Sequence, residues 1–296
     1  MLFLLILTLG SFFFVSLLGT VIAVPIFGRG VLDEMAGLND LSDPGQIARL
    51  KYFQVVSQLG LFIVPCILFL FLQTRQKAEY VGLKGKLPIA HFFAAAALMI
   101  VALPAINGLL ELNQLLQLPS FMSGVEDWMK ASEKGADNVT TAFLSTDSVG
   151  DFILNMLMIA VVPAVGEELL FRGVLLRILR DWMKNAHIAI IVSALVFSFI
   201  HFQFYGFLPR FLMGVAFGYM LHWSGSLWVP IMAHFVNNGT AVVVAFLAAR
   251  YFPDLDFNTF GSSANVFIVA GSALVCGLIL TFLYLKRVRT SATPVS

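Results

Sequence analysis

Residues 52–74 read YFQVVSQLGLFIVPCILFLFLQT and contain no Asp, Glu, Lys or Arg. A helix needs about 20 apolar residues to cross the hydrocarbon core of a bilayer, where no water can satisfy its backbone polar groups. This stretch is long and apolar enough to form such a helix. Further windows without charged residues lie at 1–28, 87–110, 185–209, 211–249 and 257–285. The sequence therefore predicts a chain that crosses a membrane several times.

The composition agrees with a membrane protein. Of the 296 residues, 59% are hydrophobic and 12% are charged, whereas a typical soluble domain has about 45–50% apolar and about 25% charged residues. These values exclude an ordinary soluble enzyme. The net charge is +1, so no basic surface is available to neutralise a phosphate backbone. We therefore expect no nucleic acid among the partners.

The number of spans depends on two segments. The window 211–249 is broken by Ser-Gly-Ser at 224–226, a turn signal that divides it into two spans. The uncharged residues after Asp151 are too few for a span, but the apolar pattern continues beyond Glu167 and Glu168. A span there must carry both glutamates. The predicted fold is an all-α, polytopic transmembrane helical bundle of about eight spans.

The distribution of Lys and Arg predicts the orientation of the bundle. With eight spans, most of these residues fall on one side, in the segments 75–86, 172–184 and 286–289. The basic excess of a membrane protein stays in the cytoplasm. Both termini are therefore predicted to be cytoplasmic, and the polar stretch 111–150 extracytoplasmic, with a short interfacial helix around Phe121 to Lys134.

Two adjacent carboxylates lie within the predicted eighth span. An ionisable residue inside a membrane is costly and indicates a functional site by default. Glu167 and Glu168 are about 100° apart around a helix, so we expect that they cannot face the same partner. Glu168 precedes Arg172 by four residues, the favoured order for an ion pair. This pair has a structural role and leaves Glu167 without a local partner.

Two histidines and an asparagine lie well inside uncharged windows. His234 and Asn238 are four residues apart and share one face of a helix. Glu167 and His201 are equally far along the chain from Lys184, where a turn between two helices is predicted. At 1.5 Å per residue, both would lie at the same level of a helical hairpin. The sequence therefore predicts that Glu167 and His201 meet.

These polar groups suit hydrolysis in two ways. A glutamate buried in a bundle can act as general base, an imidazole can orient water, and a second imidazole with an amide can stabilise an oxyanion. Alternatively, Glu167, His201 and His234 could ligate zinc and leave one position for water. The residues alone do not decide between these mechanisms. The H-E-x-x-H motif of soluble metalloproteases is absent.

Three motifs occur in order along this part of the chain. They are E-E-L-L-F-R at 167–172, F-x-x-x-H at 197–201 and H-x-x-x-N at 234–238. Together they resemble the motifs of the CPBP family of intramembrane proteases, an Abi-like family that includes the type II CAAX prenyl endopeptidases and bacteriocin-processing and self-immunity proteins. The resemblance covers roughly residues 150–250.

The resemblance implies an intramembrane endopeptidase in the cell membrane of a bacterium. Its site would open to the cytosol and cleave peptide bonds near the C-terminus of membrane-anchored or lipidated peptides and proteins. The family is commonly called metalloproteases, yet the implied mechanism requires no cofactor, and zinc stays as an alternative. The implied roles are Glu167 with His201 for activating water, His234 with Asn238 for stabilising the oxyanion, and Glu168 and Arg172 for shaping the site.

The predicted organisation has three parts. Residues 1–149 hold about three N-terminal helices, 150–250 the catalytic core, and 251–296 the last helix and a basic cytoplasmic tail. Within the core, Gly214 and Gly218 form a small-xxx-small pattern, which we interpret as packing inside the molecule. The expected partners are membrane lipids and the membrane-anchored substrate, and no oligomer is indicated.

Two other classes of function use the same buried groups. A proton-coupled carrier would relay protons through Glu167, His201 and His234. The interrupted half-helices in two repeats that such carriers often show are not evident. A non-catalytic membrane partner, such as an immunity protein, would retain the motifs for stability.

Overall fold

The structure of the protein is a computed structural model that describes residues 1–29, 31, 41–84, 87–115, 118–252, 255 and 259–287. These residues form helices and connecting loops, with no strands among them. The predicted all-α fold is confirmed. Lys86, Arg289 and the rest of the predicted basic tail beyond residue 287 lie outside the described residues.

The longer helices of the described residues are numbered here in chain order. They are α1 (Leu2–Phe27), α2 (Pro44–Gln73), α3 (Ile89–Val101), α4 (Leu103–Gln114), α5 (Ser123–Leu144), α6 (Val149–Met183), α7 (Ala186–Phe199), α8 (Phe207–Ser224), α9 (Trp228–Tyr251) and α10 (Val266–Leu285). The turn predicted at 224–226 separates α8 from α9, with Gly225 at φ 66°.

Some of these helices are suited to cross a membrane. Among the described residues, α1, α2, α6, α9 and α10 are long and apolar enough, and α3 with α4, bent by 51°, would add a sixth span. Helix α7 is apolar but has 14 residues. The predicted segments all contain helices, while the count of eight spans and the side of the termini stay predictions.

The expected span over 185–209 is wrong in its extent. Helix α7 ends at Phe199, a loop occupies 200–206, and α8 begins at Phe207. An uncharged window shows which residues can be buried in a membrane, but it does not show where the helix ends. Three carbonyls of this loop accept hydrogen bonds from side chains of α4, α5 and α8.

Helix α6 is the central element of the fold. Residues 166–176 are all buried, so this section is surrounded by protein and does not face lipid. The α-helical turns Val162–Glu168 are flanked by π-helical segments at Met156–Val161 and Leu169–Leu175. Short π segments within α-helices occur frequently at functional sites. The two glutamates thus lie on a buried and irregular part of α6.

Helices α7 and α8 form a tight antiparallel pair because α8 carries two glycines. A Cβ atom at Gly218 would lie 2.8 Å from Cγ2 of Ile190, and one at Gly214 would lie 3.1 Å from Cβ of Ala194. Small residues let two helix backbones approach closely. The interpretation of this pattern as packing inside the molecule is confirmed.

Replacement of Gly218 by alanine is expected to destabilise the protein, because the new methyl group would overlap Ile190. Overpacking typically costs about 1–3 kcal/mol, which thermal unfolding in detergent would detect. Gly277→Ala in α10 is the control, since its methyl group meets no described atom within 4 Å. Equal unfolding temperatures for the two variants would contradict the close approach of α7 and α8.

Candidate active site

Three ionisable side chains converge near the middle of α6. They come from α6, from α9 and from the loop that follows α7. Oε2 of Glu167 lies 3.8 Å from Nε2 of His201 and 4.0 Å from Nε2 of His234. Glu167 and His234 are buried, and His201 is partly exposed. The prediction that Glu167 and His201 meet is confirmed.

Hydrogen-bond partners assign the tautomers of the two imidazoles. Nδ1 of His201 lies 2.7 Å from the carbonyl oxygen of Phe197, which can only accept, so Nδ1 carries the proton. Nδ1 of His234 lies 2.9 Å from Oε1 of Glu168 and donates to that carboxylate in the same way. In the neutral form, both rings therefore direct an unprotonated Nε2 towards Glu167.

Three acceptor atoms thus face one another at the centre of the site. Oε2 of Glu167 has no hydrogen-bond partner among the described residues, and both Nε2 atoms lie beyond direct hydrogen-bonding distance. These separations are short enough for one water molecule to contact Glu167 and an imidazole together. Such a water would donate its protons to the protein and keep a lone pair for attack on a carbonyl carbon.

The second carboxylate, Glu168, forms a buried ion network. Its Oε1 accepts one hydrogen bond from Nη1 of Arg172 and one from Nδ1 of His234, both at 2.9 Å. The predicted ion pair between Glu168 and Arg172 is confirmed. Because the carboxylate holds Nδ1, it also fixes the orientation of the His234 ring.

The expectation that the two adjacent glutamates cannot face the same partner is wrong. Glu168 contacts Nδ1 of His234, and Glu167 lies 4.0 Å from Nε2 of the same ring. An imidazole has nitrogens at two positions on its ring, so it can lie between carboxylates that leave a helix in different directions. Oε2 of each carboxylate lacks a hydrogen-bond partner among the described residues. The roles of the glutamates still differ, because Oε1 of Glu168 accepts two hydrogen bonds from the buried network.

Arg172 is enclosed by aromatic rings and backbone. Its guanidinium lies 4.4 Å from the ring centre of Phe197 and 5.4 Å from that of Phe217. Nη2 donates to the carbonyl oxygen of Gly214 at 3.1 Å. A buried cation needs an anion and hydrogen-bond acceptors to offset its desolvation, and Arg172 has both. These contacts agree with a structural role.

Asn238 contacts the backbone of α6 and makes no hydrogen bond to the other predicted catalytic residues. Its Nδ2 donates to the carbonyl oxygen of Ile159 at 2.9 Å, and its Oδ1 accepts from Nδ2 of Asn237 at 3.0 Å. Ile159 lies four residues before Pro163, which has no N–H to give to that carbonyl. Asn238 supplies a donor there, and its role at the oxyanion stays a prediction.

Side chains from other helices fasten the loop 200–206, which carries His201. Phe202 has φ 52°, a left-handed backbone conformation that bulky residues rarely adopt. Oγ of Ser132 in α5 donates to the carbonyl of Phe202, and Nδ2 of Asn113 in α4 donates to a carbonyl two residues further on. These bonds stabilise the strained turn and thereby position the imidazole.

The sequence analysis missed Arg210, in the first turn of α8. Its guanidinium donates to the backbone oxygen and Oε1 of Gln203, two residues after His201, at 3.1 and 2.8 Å. A signal was present in the sequence, because Arg210 is the only charged residue within 185–249. An ionisable residue inside an apolar segment indicates a functional site by default, and this rule applies to Arg210 as it does to Glu167.

The arrangement gives no support for a zinc site. Zinc in proteins lies about 2.0–2.2 Å from each nitrogen or oxygen ligand. The described residues contain no group of three or more His, Cys, Asp or Glu side chains that could hold a metal ion, and this includes Glu167, His201 and His234. The term metalloprotease is therefore not supported.

Residues 149–240 match a family model described as Type II CAAX prenyl endopeptidase Rce1-like. This segment begins at α6 and contains all three motifs. The resemblance stated above is confirmed over this part of the chain, and the match supports an intramembrane protease. Together with the apolar helices, it indicates an integral membrane protein.

Two curated relatives share part of the sequence. The chain is 32% identical over 88 residues to the uncharacterized protein YpbD of Bacillus subtilis (strain 168), covering 28% of this chain and 42% of that protein. It is 28% identical over 109 residues to an uncharacterized 24.3 kDa protein of Escherichia coli, covering 36% and 50%. The chain thus spans half or less of each relative's length. No solved structure matches it significantly.

The replacement Arg172→Ala is expected to destabilise the protein strongly, because it leaves Glu168 as an unpaired buried charge. Loss of one partner of a buried pair costs about 3–5 kcal/mol, and thermal unfolding in detergent measures this loss. The double variant Glu168→Gln with Arg172→Met removes both charges and should recover part of the stability. An Arg172→Ala protein as stable as the wild type would contradict the structural role.

The replacement Asn238→Ala is expected to lower the unfolding temperature, because the carbonyl of Ile159 loses its side-chain donor. An unsatisfied buried polar group costs about 1–3 kcal/mol. Asn237→Ala is the matched control, since it leaves the bond between Asn238 and Ile159 intact. If Asn238→Ala unfolds like the wild type but loses peptide cleavage, the residue acts at the oxyanion and the structural interpretation fails.

Proposed function

We propose that this protein is an intramembrane endopeptidase that hydrolyses a peptide bond in membrane-anchored or lipidated peptides and proteins. One observation carries the proposal: the unpartnered Oε2 of Glu167 lies between the Nε2 atoms of His201 and His234 at 3.8 and 4.0 Å. This arrangement suits a water molecule in a buried site. The match to the Rce1-like family model supports the same class of reaction.

In the proposed mechanism, Glu167 and His201 activate water. The water oxygen attacks the carbonyl carbon of the scissile bond, and Glu167 takes the proton as general base. The resulting oxyanion accepts a hydrogen bond from Nε2 of His234 when that ring is protonated. Glu168 serves as the counter-ion of this imidazolium through Nδ1. When the C–N bond breaks, the proton held by Glu167 passes to the leaving amine, and a carboxylic acid and an amine are released.

The position of the site supports the proposed substrate class. Glu167 is near the middle of a 35-residue helix that is long and apolar enough to cross a membrane. A peptide must therefore come to the bundle from the membrane or at its surface, which favours membrane-anchored or lipidated chains. By the resemblance, the cleaved bond lies near the C-terminus of the substrate, and the protein resides in the cell membrane of a bacterium.

The replacement Glu167→Gln is expected to reduce cleavage by about 10²-fold or more, because the amide cannot accept the proton of the attacking water. Detergent-purified protein would be assayed on a panel of membrane-tethered and prenylated peptides, with and without a zinc chelator. Glu111→Gln is the matched control, since Glu111 is exposed on α4. Its activity should equal that of the wild type.

Each arm of this assay can contradict a different part of the proposal. Unchanged cleavage by Glu167→Gln would remove this residue from the role of base. Loss of activity on adding the chelator would show that a metal is required. No cleavage of any peptide by folded wild-type protein would favour a carrier or a non-catalytic partner.

A further inference from the structure

A cavity of about 290 Å³ borders the candidate active site through one lining residue, Arg172. It is bounded by the last turns of α6, the start of α7, the end of α8 and residues 79–82. Arg177, Arg180, Tyr80 and His222 contribute polar side chains to its lining. The proposed hydrolysis uses none of these residues. We call this the arginine cavity.

The arginine cavity lies at an end of the bundle that has the features of a membrane interface. Tyr and Trp are enriched where a membrane protein meets the headgroup region, and basic residues near such a surface attract anionic lipids. The aromatic residues at this end are Trp182, Tyr219, Trp223, Trp228 and Tyr284, and the basic ones include Lys77, Lys84, Lys184, Lys286 and Arg287. The cavity is therefore at the level where lipid phosphates lie.

Two guanidinium groups of the cavity lack a close carboxylate. Nη1 of Arg177 donates to the backbone oxygen of Tyr80 at 2.6 Å, which leaves its other nitrogens without an acceptor among the described residues. Nε of Arg180 lies 3.9 Å from Asp181, and both side chains are at least half exposed. The carboxylate of Glu79, also in the lining, pairs with Lys84 at 3.1 Å.

The hydroxyl of Tyr80, in the same lining, is suited to donate a hydrogen bond. Burial raises the pKa of the Tyr80 hydroxyl above its ordinary value, so the hydroxyl keeps its proton and can act as a donor. Guanidinium groups bind phosphate oxygens through paired N–H donors. An anion with several oxygens would satisfy both arginines together.

We propose that the arginine cavity binds the phosphate group of an anionic ligand through Arg177, Arg180 and Tyr80. A phospholipid headgroup and free phosphate share this chemistry, and the position of the cavity at the interface favours the headgroup. Arg172 also contributes to the lining and bonds to Glu168 in the buried network. A ligand in the cavity therefore lies next to the residues that hold His234.

The test measures ligand binding by native mass spectrometry of the detergent-purified, full-length protein. The added probes are phosphatidylglycerol, phosphatidylcholine and inorganic phosphate, each in a separate arm. We expect phosphatidylglycerol to bind more tightly than phosphatidylcholine. Arg177→Gln and Arg180→Gln should each weaken its binding about fivefold, the effect of one cationic side chain near a lipid surface.

Two features of the design keep the outcome clear. Arg180→Gln removes no hydrogen bond within the described residues, so it remains informative if Arg177→Gln impairs folding. Arg287→Gln is the matched control, because Arg287 is at the same end of the bundle, over the ring of Tyr284, and does not line the cavity. Its loss of binding should be smaller than that of either cavity variant, because it removes general surface charge and no group of the cavity lining.

The results decide both the site and the source of the phosphate. Phosphatidylglycerol binding that falls more in Arg180→Gln than in Arg287→Gln supports a headgroup site. If inorganic phosphate binds, neither lipid binds, and Arg180→Gln weakens the binding of phosphate, the cavity is a phosphate site for a soluble ligand. Equal binding of both lipids with none of phosphate, or binding that neither cavity variant changes, would overturn the proposal.

Discussion

The two hydrogen bonds to the carboxylate of Glu168 hold the buried polar residues of this bundle together. A buried charge persists only where partners offset its desolvation, and Oε1 of Glu168 accepts from both Arg172 and His234 at 2.9 Å. Through the first contact it neutralises a guanidinium inside the bundle. Through the second it assigns the proton of His234 to Nδ1 and directs Nε2 towards Glu167. One anion thus supports α6 and also prepares the reacting face of an imidazole.

A second constraint is the need to satisfy the backbone where water is excluded. Pro163 has no N–H for the carbonyl of Ile159, and the side chain of Asn238 supplies the donor. The partly exposed loop 200–206 also uses side chains, from α4, α5 and α8, to bond its carbonyls. These irregular backbone segments are stabilised because the surrounding protein supplies hydrogen bonds to them. The polar residues of this bundle therefore serve folding as well as chemistry.

The sequence predicted those features that depend on spacing along one or two helices. Helical periodicity predicts the ion pair of Glu168 with Arg172 and the close packing at Gly218. The proximity of Glu167 and His201 follows from their equal distance along the chain from the turn at Lys184. The contacts of Asn113 and Ser132 with the loop 200–206 join elements far apart in the chain. Those of Arg210 with Gln203 depend on the shape of the loop itself. Helical periodicity carries no information about either. The position of the His234 ring between Glu168 and Glu167 was not predicted. Helical periodicity gives the direction in which a side chain leaves the helix, but it does not give the position of the atoms at its end.

The spacing of the ion network also bears on how the chain enters the bilayer during synthesis. Arg172 is four residues from Glu168, whereas His234 is 66 residues away. When α6 first inserts, the carboxylate has its counter-ion within the same helix and does not need the later helices. Glu167 has no such companion and gains its neighbours only when the segments bearing His201 and His234 arrive. The cluster of Glu167, His201 and His234 is therefore incomplete until most of the chain has been made, and the proposed hydrolysis would begin only after that point.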